Sequence, residues 1–189
     1  MKLRVALIIL LILIAFNLGL ESKPTLMAGT QEAFDYLSTE NSSTSSYCGL
    51  QPQTVEEFSD QDYIQGACCG AMDFHKYQEQ VEGLKKYKGI PQIPEDPYNI
   101  TVPLARELFG YQKLIQLNDK QQAIYDMAME MSHEGGPCCC MCWRWFAFEG
   151  QAKYLIAEKN FTAEQIAEIW NLEDGCGGAG HVHDGAVSD

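Results

Sequence analysis

The chain has 189 residues, 46% hydrophobic and 21% charged, with a formal charge of −13 and eight cysteines. That is enough chain for one domain with a real core. The acidic balance, with no basic stripe, RNA-binding aromatic motif or phosphate-cradling glycine loop, sets aside nucleic-acid binding and nucleotide chemistry.

Lys2 and Arg4 precede an apolar run from Val5 to Leu20 that Asn17 alone interrupts. Positive residues ahead of a hydrophobic segment leave the N-terminus inside and send the remainder across. At roughly 1.5 Å per residue the run spans about 24 Å, slightly short of a bilayer core. Asn17-Leu18-Gly19-Leu20-Glu21 offers no small-residue cleavage pattern. Residues 1–20 therefore read as a signal-anchor, with a cleaved signal peptide as the alternative. Either way the domain is expected outside the cytoplasm, tied to the membrane through this segment or secreted.

Residues 21–53 read as a polar tether, with Thr39–Ser46 low in complexity. From 54 to 175 the punctuation is helical. Thr54 with Glu57 suggests a capping box for a short helix. Phe74, Tyr77, Val81 and Leu84 form an apolar stripe at helical spacing, ended by the proline-rich stretch Ile90–Pro97. Thr101 caps a helix from Val102, with Pro103 tolerated in its first turn. Asn118 with Gln121 opens another, carrying Ile124, Met127, Ala128 and Met131. Gly135-Gly136-Pro137 breaks it, and Pro137 is expected as the first residue of a helix running to Lys159. Thr162 with Gln165 caps a last helix, and residues 176–189 form a glycine- and histidine-bearing tail. No segment alternates as a strand. The expected fold is all-α, a small antiparallel bundle of five or six helices behind the membrane segment.

The chemistry concentrates between Met127 and Cys142, where thiols, thioethers and an imidazole crowd together: Met127, Met129, Met131, His133, Cys138, Cys139, Cys140, Met141 and Cys142. Soft sulfur ligands select copper(I) and zinc, and imidazole suits both. A helix N-terminus would lower the thiol pKa values and favour the metal-binding thiolates. Every histidine lies near cysteine: His75 follows Cys68 and Cys69, His133 precedes Cys138, and His181 and His183 follow Cys176. Cys138, Cys140 and Cys142 are the expected primary ligands, with Cys139 close behind. Cys68, Cys69, His75, His133, Cys176, His181, His183 and Met141 are candidates to complete the shell. Met129 is preferred to Met127 and Met131, which read as packing residues, and Arg144 reads as a surface side chain or a support for thiolate charge. The number of ions is left open.

Pro137, Cys138, Cys140 and Cys142 fit P-C-x-C-x-C, and this stretch resembles the PCYCGC-motif family of small exported proteins. Cys139 and Met141 stand where that family has tyrosine and glycine. The resemblance covers six residues and implies an extracytoplasmic cysteine site. The expected function is extracytoplasmic holding, delivery or sensing of a soft metal ion, copper(I) ahead of zinc, with the protein partner unspecified. No catalytic acid–base pair or activated nucleophile stands out, so an enzyme is the less favoured reading. Two alternatives stay open. One is a disulfide-stapled structural or interaction domain, in which Cys48 is the most structural cysteine because no histidine is near it. The other is a thiol–disulfide redox module using the C-x-x-C of Cys139 and Cys142.

Overall fold

The computed structural model describes residues 22–38 and 45–177. The apolar run at 1–20 and the tail histidines His181 and His183 lie outside the described residues. Among those described, no helix is long and apolar enough to cross a membrane. Helix α1, Ser22–Ser38, replaces most of the expected tether. Leu26, Met27, Ala28, Gln31, Glu32 and Ala33 are helix formers, Pro24 falls in a first turn that tolerates it, and Gln31 Nε2 donates to Asp35 Oδ1 one turn on at 2.8 Å. Up to Tyr36 this helix belongs to a unit separate from the rest of the chain.

The second unit is mainly helical, in the order α2 (Pro52–Val55), β1 (Tyr63–Gln65), α3 (Phe74–Leu84), a 3-10 turn (Lys85–Tyr87), β2 (Asn99–Thr101), α4 (Val102–Leu114), α5 (Asp119–Met131), α6 (Trp143–Lys159) and α7 (Ala163–Leu172). Caps fix most of the starts. Thr101 accepts from the Leu104 amide, and full capping boxes at Asn118–Gln121 and Thr162–Gln165 open α5 and α7. The expected box at Thr54 does not form. Gln51 is the N-cap of α2, because the fixed backbone angle of Pro52 already suits the first helical position.

The strands are the departure from an all-helical reading. β1 and β2 pair antiparallel, with Ile64 opposite Ile100. Each has three residues, too few for alternation to show in the sequence. Their central isoleucines are buried while the flanking residues are not, so the ladder closes one side of the core.

α4 and α6 pack backbone to backbone where Gly150 faces Leu108. A Cβ at Gly150 would fall on the Leu108 carbonyl oxygen. The approach is held by Tyr111 stacked on Tyr154 at 4.6 Å between ring centres and by Lys153 Nζ donating to the Gln112 carbonyl at 3.0 Å. α7 packs on α5 through Tyr125 set edge-on to Trp170, whose Nε1 donates to the Phe148 carbonyl of α6. These contacts fix α6, and the N-terminal end of α6 is where the sulfurs gather.

Gly150→Ala is therefore expected to force the two helices apart at a cost of about 3 kcal/mol, seen as a fall of roughly 6–12 °C in thermal midpoint for a chain of this size. Gly110→Ala, in α4 with open space where its Cβ would stand, is expected to leave the midpoint unchanged or raise it slightly, since alanine is the better helix former. Circular-dichroism melts of both variants check the pair.

Candidate metal centre

Pro137 does not begin a helix. Gly135 and Gly136 take φ values of 67° and 156°, open to glycine and strained for other residues, and the chain then turns through residues 137–141. The Cys142 amide donates to the Cys140 carbonyl at 2.9 Å, and α6 starts at Trp143 with Cys142 as its N-cap. Cys138 and Cys142 thus meet across a turn rather than along a helical face.

Three further segments are linked in series by backbone hydrogen bonds, starting where the turn enters α6. The Trp143 amide donates to the Leu50 carbonyl at 2.8 Å, and Cys48 N–H to Cys68 O at 3.0 Å. Cys68 N–H reaches Gly175 O at 2.9 Å, while the amides of Cys69 and Gly70 both reach Cys176 O, at 3.1 and 2.8 Å. Gly177, with φ of 71°, lies so close that a Cβ there would strike the Gly70 carbonyl. Asp174 anchors this last segment. Its Oδ1 accepts from the Cys176 amide, its Oδ2 pairs with Lys76 at 2.7 Å, and its carbonyl accepts from Gln80 Nε2 and the Tyr98 hydroxyl.

All eight cysteines converge as a result. Cys48 and Cys69 form a disulfide, and the other six are free. The Sγ atoms of Cys68, Cys138 and Cys142, all buried, lie within 4.8 Å of one another. Cys176 Sγ, also buried, is 3.7 Å from Cys138 and 4.0 Å from Cys68. Four thiolates held tetrahedrally at a zinc–sulfur distance of about 2.3 Å stand about 3.8 Å apart. Cys176 stands about that far from Cys138 and Cys68, and Cys142 lies within 4.8 Å of the same two. Cys139, exposed, approaches Cys176 Sγ at 2.8 Å, and Cys140 Sγ lies 3.7 Å from Cys48 Sγ.

Protons are unevenly shared within the four. The Cys142 thiol is held far below its ordinary value, chiefly by the S–H bond from Cys138, then by Cys68, with the amides of Arg144 and Trp145 at the helix start contributing. Cys176 is lowered for the same leading reason. Cys138 is pushed up, first by its bond to Cys142 and then by those to Cys176 and Cys68. Cys68 rises despite its bond with Cys138, because bonds to Cys142 and Cys176 and burial favour its protonated form. Within the set Cys142 and Cys176 are shifted toward thiolate and Cys68 and Cys138 toward thiol.

Arg144 is neither on the surface nor paired with a carboxylate among the described residues. It is fully buried, with Nη1 donating to the carbonyls of Pro97 at 2.7 Å and Glu173 at 3.2 Å. Its guanidinium lies 4.9 Å from the Trp143 ring and 5.5 Å from that of Phe148. Gly175 has no room for a side chain because the guanidinium occupies that space. Beside it, Glu173 is buried and accepts from Gln151 Nε2 at 2.7 Å, and burial pushes its carboxyl up to about 8.

The sequence places more residues in the site than the fold does. Cys69, expected as a ligand, is committed to Cys48 in a disulfide. Cys140, expected as a primary ligand, keeps its Sγ within 4.8 Å of those of Cys138 and Cys139 and stands 3.7 Å from Cys48 Sγ. His75 is exposed, with Nε2 3.2 Å from Glu79 of its own helix. His133 is exposed too, and its backbone amide donates to Asn171 Oδ1. Neither imidazole joins a cluster of sulfurs among the described residues. Met141 is 63% exposed, Met127 and Met131 are also exposed, and Met129 packs against the core. Cys176, assigned to a separate tail, is part of the core. Asp174, Lys76, Gln80 and Tyr98, which position Cys176, carry no sequence signal because they lie 76 to 98 residues from their partners. No protein-family model, curated protein or solved structure matches this chain.

Glu173 gives the site a titration signature. In the unfolded chain its carboxyl ionises near 4.5 and in the fold near 8, so the native state binds the extra proton between those values and stability falls as pH rises. The loss approaches about 1.4 kcal/mol per pH unit from this group. Glu173→Gln keeps an acceptor for Gln151 and cannot ionise. Urea denaturation from pH 5 to 8 is expected to show a decline in the wild type that is markedly flatter in the variant.

Proposed function

We propose that this protein holds one soft metal ion outside the cytoplasm, on the thiolates of Cys68, Cys138, Cys142 and Cys176. The observation that carries the reading is the convergence of these sulfurs: Cys176 lies 3.7 and 4.0 Å from Cys138 and Cys68, close to a tetrahedral edge for zinc, and Cys142 lies within 4.8 Å of the same two. The downward shift of Cys142 and Cys176 favours the deprotonation that metal binding requires. The all-sulfur donor set moves the balance from copper(I) toward zinc, because the thioethers of Met127, Met131 and Met141 are exposed and Met129 packs against the core. The Cys48–Cys69 disulfide supports an oxidising, extracytoplasmic setting, as does the N-terminal sequence pattern. The role that follows is holding or delivering the ion, since its shell is filled by protein sulfur and leaves no position for a substrate.

The disulfide-stapled alternative draws on one observation, the 2.8 Å approach of Cys139 Sγ to Cys176 Sγ. Oxidation of that pair would remove a ligand and leave a covalently tied domain. The two readings part on what the purified protein contains.

Protein purified without chelator or reductant is expected to carry one zinc per chain by elemental analysis and to lose two hydrogens to disulfide formation by intact mass. A loss of eight hydrogens with no metal would establish the stapled domain instead. Cys142→Ser is expected to weaken zinc binding by about 100-fold or more. His75→Ala and His133→Ala are expected to leave affinity unchanged, by competition against a chromophoric chelator.

A further inference from the structure

The four-thiolate site leaves four sulfurs unexplained: the disulfide of Cys48 with Cys69, and the thiols of Cys139 and Cys140. They do not scatter over the surface. Cys69, Cys139 and Cys176 form a second group with all Sγ atoms within 4.8 Å of one another, and it shares Cys176 with the first. Cys69 is the member withheld from metal, because its sulfur is bonded to Cys48.

Two thiols lie close enough to open that bond. Cys140 Sγ is 3.7 Å from Cys48 Sγ, and Cys68 Sγ is 3.7 Å from Cys69 Sγ. Attack by Cys68 would join sequence neighbours in a strained ring and spend a buried ligand of the first site. Attack by Cys140 does neither. Cys140 is partly exposed, serves no other role in the four-thiolate reading, and meets Cys48, the sulfur at which attack displaces Cys69.

We propose that the Cys48–Cys69 disulfide is an exchangeable gate, opened by Cys140, over a second soft-metal site made by Cys69, Cys139 and Cys176. The inference rests on the four-thiolate reading, since Cys176 would bridge the two ions. The Cys140 thiolate attacks Cys48 Sγ, the Cys140–Cys48 bond forms as the Cys48–Cys69 bond breaks, and Cys69 leaves as a thiolate. The proton shed by Cys140 passes to Cys69 or to solvent. One disulfide is exchanged for another, so no oxidant or reductant is consumed. An external thiol or phosphine would open the same bond by supplying two electrons and two protons, freeing Cys48 as well.

The test counts zinc per chain in the full-length protein loaded with Zn²⁺ alone, with and without prior treatment by a phosphine reductant. Between one and two ions before reduction, in proportion to the exchanged fraction, and two after are expected. Cys48→Ser, which leaves Cys69 without its partner, is expected to hold two ions with no reductant, and Cys69→Ser one ion in both conditions. For the exchange step, metal-free protein is alkylated under acid quench and its peptides are mapped. Wild type is expected to show a fraction with Cys48 joined to Cys140 and Cys69 alkylated, absent from Cys140→Ser. A count that stays at one in reduced wild type and in Cys48→Ser, with helical circular dichroism intact, overturns the second site and leaves the first standing. Peptide maps in which Cys48 is joined to Cys69 alone overturn the exchange. Zinc missing from every sample overturns the four-thiolate site and this inference with it.

Discussion

The sulfur centre depends on a short stretch of backbone pairing. Cys68, Cys69 and Gly70 donate their amides to the carbonyls of Gly175 and Cys176, and this seats Cys176 against Cys138 and Cys68. Without it the cluster loses the sulfur common to both groups. The pairing is in turn held from outside by Asp174, which ties the segment to α3 through Lys76 and Gln80. Helical packing supplies the opposite wall, because the crossing of α4 and α6 at Gly150 fixes where α6 begins and so where Cys142 points. A site assembled this way is rigid because its scaffold is made of backbone hydrogen bonds, not of long side chains.

Charge supplies the second constraint. A buried guanidinium without a counter-charge is costly, and Glu173 next to it is held toward its neutral form by burial. Burial works against the charge of Arg144, and Cys68, Cys138 and Cys142 outweigh it electrostatically. The sulfurs beside Arg144 thus hold its charge, and Arg144 in turn favours their ionisation. A divalent ion among four thiolates leaves a net negative site, which the same guanidinium offsets. Rings of Trp143 and Phe148 around the guanidinium exclude water from this exchange.

Much of the helical framework was legible from the sequence, since capping residues and apolar stripes act locally. Thr101, Asn118 and Thr162 each mark a start that the fold keeps. The gathering of cysteines from residues 68, 138 and 176 was legible as chemistry but not as geometry. Cys138 and Cys142 were read as neighbours along a helix, and they are neighbours across a turn opened by two glycines. The histidines misled because proximity in sequence says nothing about which way α3 faces. Arg144 looked like a surface residue because the carbonyls that receive it belong to Pro97 and Glu173, far away in the chain. The three-residue strands were invisible because hydrogen bonding between distant segments, not residue pattern, defines them.

The separation of 108 residues between Cys68 and Cys176 has a kinetic meaning. Bringing such distant positions together requires closing a loop that spans most of the domain. A chain emerging N-terminus first presents Cys68 and the Cys138–Cys142 turn well before Cys176 exists to meet them. On the proposed reading, tight capture of an ion would belong to the finished polypeptide, and a chain cut ahead of residue 176 would be left with thiols that oxidise in place of a site.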